Sequence, residues 1–268
     1  MNSLPITVTI ITLNEEAKIS RALQSVTWAA EVLVVDSGST DQTREIAKAL
    51  GARVLTRAWE GYGQQKNYAQ DQASYDWVLN LDADEAVSAE LRDEIFNFFA
   101  EHRDKAAGKG PGPGFVGAAI PRKTFYLGRW IKYGGWYPNY LVRLADRKHA
   151  RWSQPNVHEE LQVQGVVQSF ASPLLHDAFS SIEDQILTNL RFSRLGSEDL
   201  KKRGAASSLV RLIFKPIGKF LETYVLKRGF LDGLPGFIIS VNAAHSMFLK
   251  YAYLKETEIK RESTDRRL

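Results

Sequence analysis

The sequence contains no cysteine among its 268 residues. Disulfides, cysteine-ligated zinc, iron–sulfur clusters and thiol nucleophiles are therefore excluded, and any catalysis must use carboxylates, histidines, lysines or hydroxyls. The chain also lacks a GxGxxG motif after its first predicted strand and a GxxxxGK[ST] motif anywhere. The glycine-rich loops that cradle dinucleotides and phosphates are thus not expected, and a bound phosphate would need another source of positive charge.

Long apolar runs are absent as well. No stretch reaches the roughly 20 uninterrupted apolar residues of a transmembrane helix. The nearest candidate, residues 230–249, is interrupted by Asp232 and Pro235, among others, and can lie on a membrane more easily than cross one. Residues 1–11 have neither the basic start nor the long apolar core of a signal peptide, so we expect a cytoplasmic location.

The composition that is present indicates a folded protein. Hydrophobic residues make up 44% of the chain and charged residues 25%, the balance of an ordinary globular protein rather than a disordered one. The net charge of +4 is unevenly distributed, because the residues from Lys201 onward include 14 basic and 6 acidic side chains. This asymmetry predicts an anionic partner for the C-terminal part.

Strand and helix patterns alternate over the first hundred residues. The predicted strands cover residues 6–13, 31–36, 53–56 and 77–81, and helical patterns follow them near residues 19–26, 42–50, 64–73 and from Ser88. The second strand is an unbroken apolar run, which is typical of a parallel strand buried on both faces. The alternation predicts an α/β fold with a mostly parallel central sheet and helices on both faces.

The later part of the chain is predicted to be less regular. Residues 105–114 (KAAGKGPGPG) indicate a surface loop, and short strands and aromatic loops are expected up to residue 175. A helix is predicted to begin at Ser181, with Asp184 as its capping partner. The apolar residues of 209–253 recur at helical spacing, and Pro216 is expected to kink that helix.

These patterns divide the chain into two predicted parts. Residues 1–200 are expected to form the catalytic domain. Residues 201–268 are expected to form a basic, helical extension, which we interpret as an appendage.

Polar residues follow three of the predicted strands. In an open α/β sheet, ligands bind beyond the carboxyl ends of the strands, and there the sequence has residues 12–15 (TLNE), Asp36, and the pair Asp82 and Asp84. One carboxylate of that pair can face a ribose or base, and the other can hold a hard cation that binds a diphosphate, helped by a basic side chain such as Lys66. Alternatively, the two acids only cap the next helix.

Three motifs in this order resemble those of family 2 glycosyltransferases with the GT-A fold. They are VTIITLNEE at residues 8–16, VVDSGSTD at 34–41 and LDADE at 81–85. Later segments are similar to the lipopolysaccharide core β-1,4-glucosyltransferase branch: YPN at 137–139, RL at 143–144, VHEE at 157–160, His176 and GFLDG at 229–233. With these segments the resemblance covers nearly the whole chain.

The resemblance implies a donor site for a nucleotide sugar. Thr12, Glu15 and Asp36 match positions that grip the uracil and ribose of the donor. Lys66 matches a basic position near the nucleotide, and Asp82 matches the acid that binds the ribose.

The resemblance also implies a metal site and a catalytic base. Asp84 matches the acid that binds Mg²⁺ or Mn²⁺, and His176 is the candidate for a further metal ligand, unless it only bonds a loop carbonyl. Inverting transfer needs one carboxylate to take the proton of the acceptor hydroxyl. Glu159 matches the position of that base, with Glu160 and Asp177 as rivals.

Aromatic and basic residues are frequent in the segment from residue 122 to residue 152. Such side chains suit stacking on sugar rings and holding anionic groups of an acceptor, although core packing could account for half of them. They are Trp130, Trp136, Tyr137 and Trp152, with Arg122, Arg129 and Arg143. Nucleic acid is a competing partner for such a composition, but no motif of a nucleic-acid-binding fold is present.

The C-terminal helical pattern has two interpretations. Apolar residues alternate with Arg211, Lys215 and Lys219, which is typical of a helix on an anionic membrane surface. Alternatively, the helix packs on the catalytic domain or on a second subunit. We expect surface association, on the cytoplasmic face of the inner membrane.

The sequence as a whole predicts an inverting, metal-assisted glycosyltransferase. It is expected to move a hexose, glucose from UDP-glucose, onto a lipopolysaccharide or lipooligosaccharide core sugar. The alternatives are transfer to a polyprenyl phosphate or another glycan, and a catalytically silent protein that binds nucleotide sugars or glycans. A nucleotidyltransferase is disfavoured, because a basic glycine-rich loop would be expected where Asn14 and Glu15 stand.

Overall fold

The computed structural model describes residues 3–106, 114–153 and 159–265. Most of the predicted loop at 105–114 lies outside the described residues, as do the first two positions of the VHEE motif at 157–160. The chain forms two compact units. The first comprises Met1–Lys123 and Pro138–Asp177, and the second comprises Thr124–Tyr137 and Ala178–Leu268.

The first unit contains most of the strands and four helices. The strands are β1 (Leu4–Thr12), β2 (Ala29–Asp36), β3 (Arg53–Thr56), β4 (Trp77–Asp82), β5 (Glu85–Val87), β6 (Gly117–Tyr126, whose last three residues belong to the second unit), β8 (Asn139–Asp146), β9 (Ala150–Trp152), β10 (Leu161–Val163), β11 (Val167–Ser169) and β12 (Leu174–His176). The helices are α1 (Ile19–Gln24), α2 (Thr43–Ala49), α3 (Tyr62–Asp71) and α4 (Ala89–Ala106).

The main sheet has the order β3-β2-β1-β4-β8-β6-β12-β5. Its first four strands pair in parallel, whereas β8 is antiparallel to both β4 and β6 and β12 is antiparallel to β5. The predicted α/β class is confirmed. The carboxyl ends of β1, β2 and β4 meet at one edge, because β1 lies between the other two in register.

Both faces of the parallel strands carry apolar side chains. On one face, Ile10 of β1 and Val34 of β2 belong to a core that includes residues of α1, α2 and α4. On the other, Leu33 and Val35 pack with Ala69 of α3. Since neighbouring residues of a strand point to opposite faces, the unbroken apolar run of β2 is explained by helices on both sides.

The second unit is mainly helical. Besides the two-residue strand β7 (Arg129–Trp130), it contains α5 (Ile182–Lys202), α6 (Leu209–Leu221), a π-helical turn (Glu222–Leu226), a 3₁₀ turn (Gly229–Asp232) and α7 (Gly233–Asp265). The helix predicted at Ser181 begins there, because the Ser181 hydroxyl accepts a hydrogen bond from the Asp184 N–H. The predicted division at residue 200 falls inside α5.

The helical run predicted over 209–253 is divided into two helices. Pro216 lies within α6, and the break occurs after it, where Arg228 has the left-handed φ of 56°. Gly229 and Gly236 bring two backbone segments together there: a Cβ on Gly236 would lie 1.9 Å from the Gly229 carbonyl oxygen. Backbone geometry at these glycines therefore sets the break. No helix among the described residues is both long and apolar enough to cross a membrane.

Candidate active site at the carboxyl edge of the sheet

The loops that follow β1 and β2 are fastened to each other. Asn14 adopts a left-handed φ of 55°, and its backbone N–H donates to the Ser39 hydroxyl at 2.8 Å. Its side-chain oxygen accepts from the Thr40 N–H at 2.8 Å. The Glu15 N–H donates to the Thr43 hydroxyl, also at 2.8 Å. These bonds fix the backbone of the loops that are predicted to bind the nucleotide sugar.

Asp36 shapes the second of these loops. Its carboxylate is fully buried and accepts hydrogen bonds from the N–H groups of Gly38 and Ser39, at 3.0 and 2.9 Å, and from the Ser39 hydroxyl. The Arg44 guanidinium lies 3.8 Å away. Both oxygens of Asp36 are thus used by its own loop, so its direct role at a nucleotide stays a prediction.

Lys66 joins two of the predicted site acids. It projects from α3, is nearly buried, and its Nζ lies 3.1 Å from Asp82 Oδ1 and 3.0 Å from Glu159 Oε1. The ammonium group also stands 4.5 Å from the centre of the Trp152 ring. Lys66, Asp82 and Glu159 therefore meet, although they belong to three separate segments of the chain.

Asp82 is held from its other side by Arg143 of β8. Arg143 Nη2 lies 2.5 Å from Asp82 Oδ2 and 2.6 Å from Glu85 Oε1, and Glu85 Oε2 accepts the Asp82 N–H at 3.0 Å. Burial raises the pKa of the Asp82 carboxyl, but the charges of Arg143 and Lys66 outweigh it and hold that pKa well below its usual range. Likewise, burial lowers the pKa of the Arg143 guanidinium, and Asp82 and Glu85 more than restore it.

Asp84 and His176 face each other on neighbouring segments. The antiparallel pairing of β12 with β5 sets His176 opposite Glu85, and His176 Nε2 lies 3.3 Å from Asp84 Oδ2. The Asp84 carbonyl accepts the Asp177 N–H at 3.0 Å, which fixes the turn. Among the described residues, no group of three or more metal-binding side chains occurs. A cation here would have this carboxylate and imidazole as its protein ligands.

The two rivals of Glu159 are placed differently. Glu160 is exposed, and its backbone N–H donates to the Ser153 hydroxyl. The Asp177 carboxylate lies 3.5 Å from Arg21, and both of these side chains are more than 40% exposed. Glu159 alone of the three contacts the group of charges around Asp82.

Buried polar atoms without a hydrogen-bond partner collect at this edge. Six such side-chain atoms occur in the described part of the chain: Thr12 Oγ1, Arg44 Nε, Gln65 Oε1, Arg122 Nε, Arg143 Nε and Ser246 Oγ. The first five belong to residues at or beside the carboxyl edge, and Thr12 is itself a predicted donor residue. Unpaired buried polar atoms are uncommon and call for an explanation, of which a polar ligand is one.

The aromatic and basic residues predicted to bind an acceptor have several roles. Trp152 is buried, and its ring N–H donates to Asn80 at 3.2 Å. Arg143 is 3% exposed and bound to two carboxylates, so it is not available to an acceptor, and Arg122 lies 3.5 Å from Glu85. Within the second unit, Arg129 donates to the Asp232 carbonyl.

Glu85 was not predicted as a site residue. It is buried at the start of β5 and balances Arg143. A signal was nevertheless present, because Arg143 interrupts the apolar run of residues 141–145. An arginine inside a buried strand requires a buried acid as its partner.

Comparison with known proteins adds relatives that cover most of the chain. The model of the family "Glycosyl transferase family 2" matches residues 7–156. An uncharacterized glycosyltransferase of Rickettsia typhi is 35% identical over 94% of this chain and 87% of its own. The lipopolysaccharide core biosynthesis glycosyltransferase LpsC of Rhizobium meliloti is 30% identical over 93% of this chain and 91% of its own.

A solved structure matches a smaller part of the chain. It is glucosyl-3-phosphoglycerate synthase from Mycobacterium tuberculosis, in complex with Mn²⁺, UDP and glucosyl-3-phosphoglycerate. It is 19% identical, covers 76% of this chain and 81% of its own, and has a TM-score of 0.47.

Proposed function

Because this chain belongs to glycosyl transferase family 2, we propose that it transfers a hexose, glucose from UDP-glucose, to a sugar of the lipopolysaccharide core with inversion at the anomeric carbon. It is a nucleotide-sugar-dependent glycosyltransferase. The identity of the sugar, the acceptor and the stereochemistry form the proposal.

The observation that carries the proposal is the contact of Lys66 with both Asp82 and Glu159. It brings the predicted ribose acid and the predicted base to one ammonium group, beside a strand end whose Thr12 hydroxyl is buried and unpaired. A donor that lies along this edge can present its ribose to Asp82 and its diphosphate to Lys66. The arriving diphosphate then competes with the two carboxylates for the ammonium.

The donor set around Asp84 fits a divalent cation. Asp84 Oδ2 and His176 Nε2 lie 3.3 Å apart, so both would contact the same ion and hold it. Mg²⁺ is commonly held by one or two carboxylates together with substrate phosphates, as Asp84 would hold it. Imidazole is a less usual ligand than oxygen for Mg²⁺ and Mn²⁺. When bound, such an ion supplies positive charge to the leaving diphosphate.

Glu159 is proposed as the base of the reaction. Its carboxylate takes the proton of the acceptor hydroxyl while that oxygen bonds to the anomeric carbon. The bond from this carbon to the diphosphate oxygen breaks, and its electron pair leaves with the diphosphate. Attack from the face opposite to the leaving group inverts the configuration. When the Lys66 ammonium binds the diphosphate instead of Glu159, the Glu159 carboxylate can accept the proton.

The acceptor is proposed from the relative named for lipopolysaccharide core biosynthesis, which matches 93% of the chain. A core sugar of this kind is linked to lipid, so the enzyme would work at a membrane surface, on the cytoplasmic face of the inner membrane. A polyprenyl phosphate is the other lipid-linked acceptor to be tested.

A transfer assay tests the proposal. The full chain is incubated with Mn²⁺, a truncated lipooligosaccharide core and one of several UDP-hexoses, and the product is analysed by mass spectrometry and NMR. We expect one added hexose from UDP-glucose, in a β linkage. Transfer only to polyprenyl phosphate, transfer from a different donor, or tight UDP-glucose binding without any transfer would each contradict it.

A further inference from the structure

The second unit exposes many large apolar side chains close together in the sequence. Within α6, six apolar residues are between 46% and 72% exposed: Leu209, Val210, Ile213, Phe214, Ile217 and Leu221. The exposure continues after the helix with Val225, Leu226, Phe230, Leu231, Leu234, Phe237 and Val241. Single exposed apolar residues are ordinary, but a continuous group of this size marks an interaction surface. We call these thirteen residues the apolar face.

The apolar residues of α6 lie on one side of that helix. At about 100° per residue, these six fall within about 140° of its circumference, and Arg211, Lys215 and Lys219 fall within about 80° on the opposite side. No residue of α6 is buried. The helix is therefore apolar on one side and basic on the other, and we call Arg211, Lys215 and Lys219 its basic border.

The apolar side of α6 continues onto α7. A groove of about 310 Å³ runs between the two helices and is lined only by Pro216, Ile217, Phe220, Leu221, Val241 and Ala244. Leu234, Phe237 and Val241 are spaced three and four residues apart, so they share one face of α7. Because Ile217, Leu221 and Val241 line the groove and are also exposed, the two helices form one continuous apolar surface.

The charges around the apolar face are almost all positive. Residues 209–241 contain five basic side chains, Arg211, Lys215, Lys219, Lys227 and Arg228, and only two acidic ones, Glu222 and Asp232. Glu222 is paired with Lys219 and Lys227 at 3.1 and 2.5 Å. Asp232 is fully buried and accepts the backbone N–H groups of Lys132 and Tyr133. An approaching surface therefore meets no unpaired negative charge here.

We propose that the apolar face is the membrane-docking surface of this protein and inserts into the headgroup region of an anionic bilayer. The apolar side chains of α6 and of the start of α7 enter the lipid, the basic border contacts lipid phosphates, and the groove accepts part of an acyl chain. A bilayer with anionic headgroups matches both the apolar area and the positive border. A second copy of the chain would cover the apolar face but would leave the basic border without an anionic partner.

This inference deepens the proposed function, since a lipid-linked acceptor lies at such a surface, but it depends on the second unit alone. Vesicle binding by the full chain tests it. Vesicles of phosphatidylglycerol and phosphatidylcholine are compared with vesicles of phosphatidylcholine only, and bound protein is measured by flotation. We expect strong binding to the anionic vesicles.

Charge variants show whether the basic border contributes. Each basic residue near an anionic surface adds about 1 kcal/mol, or roughly fivefold in affinity, so Arg211→Gln with Lys215→Gln is expected to weaken binding about 25-fold. The matched control is Lys48→Gln with Arg92→Gln in the first unit, which removes two positive charges as well. Equal effects of the two pairs would overturn the assignment.

Spin labels locate the inserted residues, and the absence of native cysteine makes each label unique. Labels at Phe214→Cys and Leu226→Cys are expected to lose contact with a water-soluble nickel chelate and to gain contact with oxygen when vesicles are added. Leu50→Cys, an equally apolar exposed position of the first unit, is expected to show no change. Labels at 214 and 226 that stay accessible to the chelate on vesicles would overturn the proposal.

The remaining outcomes are separable. Labels that become immobilised without vesicles, in proportion to protein concentration, would indicate a dimer interface and contradict membrane docking. UDP binding of every variant is measured in parallel. Vesicle insertion by a protein that binds no uridine nucleotide would refute the proposed function and leave the docking surface standing.

Discussion

In the first unit, Arg143 is 3% exposed and forms ion pairs with Asp82 and Glu85. In the second unit, by contrast, Leu226 is 77% exposed. One region buries charged side chains, and the other exposes apolar ones. Both arrangements cost free energy in an isolated chain, because buried charges lose hydration and exposed apolar groups order water.

The difference between the regions indicates two kinds of partner. Buried acids and bases that are paired with each other suit a charged, polar ligand that can replace some of these pairs. A helix that is apolar on one side and carries lysine and arginine on the other suits a surface that is apolar below and anionic above. The chain thus combines a site for a nucleotide sugar with a face for a lipid surface, and each can be tested separately.

The largest expected effect is on catalysis. Glu159→Gln keeps the shape of the side chain but removes the proton acceptor, so turnover is expected to fall by about 10²- to 10⁴-fold. UDP affinity is expected to be kept or to rise, because the diphosphate no longer competes with this carboxylate for Lys66. Steady-state transfer rates measure the turnover. Glu160→Gln is the matched control and is expected to keep turnover within a few-fold. If Glu159→Gln were as active as Glu160→Gln, the base would have to be another group.

The next effect is on folding stability. Arg143→Met leaves the fully buried Glu85 without its nearest guanidinium, and removal of one partner of a buried pair costs about 3–5 kcal/mol. Urea unfolding measures the change in the free energy of unfolding. Arg151→Met, which breaks the exposed pair with Asp71, is expected to cost at most about 1 kcal/mol. Similar losses of unfolding free energy for both variants would show that the pair of Arg143 and Glu85 is not a buried ion pair.

A smaller effect is expected in acid. The pKa of Asp82 is held below its value in the unfolded chain, so the stabilisation is fully present above about pH 4 and is lost as the pH falls below it. By about pH 3 the loss amounts to about 1 kcal/mol. Urea unfolding at about pH 6 and about pH 3 is expected to show a smaller acid loss for Asp82→Asn than for the natural chain. An identical loss would mean that Asp82 does not titrate in this way.

The smallest expected effect concerns the apolar face. Phe214→Ser replaces a side chain that is 64% exposed, so the free energy of unfolding is expected to change by less than about 0.5 kcal/mol. Thermal or urea unfolding measures it. Leu144→Ala, at a fully buried position, is expected to cost about 2–5 kcal/mol. A large loss for Phe214→Ser would indicate that Phe214 is packed rather than offered to a partner.

The parallel half of the fold was predictable because its signals are local. The third strand was predicted at residues 53–56 and lies at Arg53–Thr56. It was predictable because a glycine at position 51 ends the preceding helix and apolar residues follow it. The antiparallel half was not resolved in the sequence, because its pairing joins strands such as β5 and β12 that are nearly ninety residues apart. The break between α6 and α7 was also missed, since it depends on the close approach of Gly229 and Gly236.

The candidate site was predictable in part for the same reason. Residues directly after strands were found from the order of strands, and Asp84 and His176 do lie together. Glu85 and its pairing with Arg143 depend on contacts across the sheet, which no local pattern encodes. The metal and donor roles of these residues stay predictions.

The measurement that tests the central claim most directly is calorimetric titration of the full chain with UDP and UDP-glucose, with and without Mn²⁺, and with Asp84→Asn. The account predicts binding that Mn²⁺ strengthens and that Asp84→Asn weakens to the metal-free level, whereas the exposed Asp177→Asn control keeps the metal effect. No binding of any uridine nucleotide, or a metal effect that survives Asp84→Asn unchanged, would contradict it.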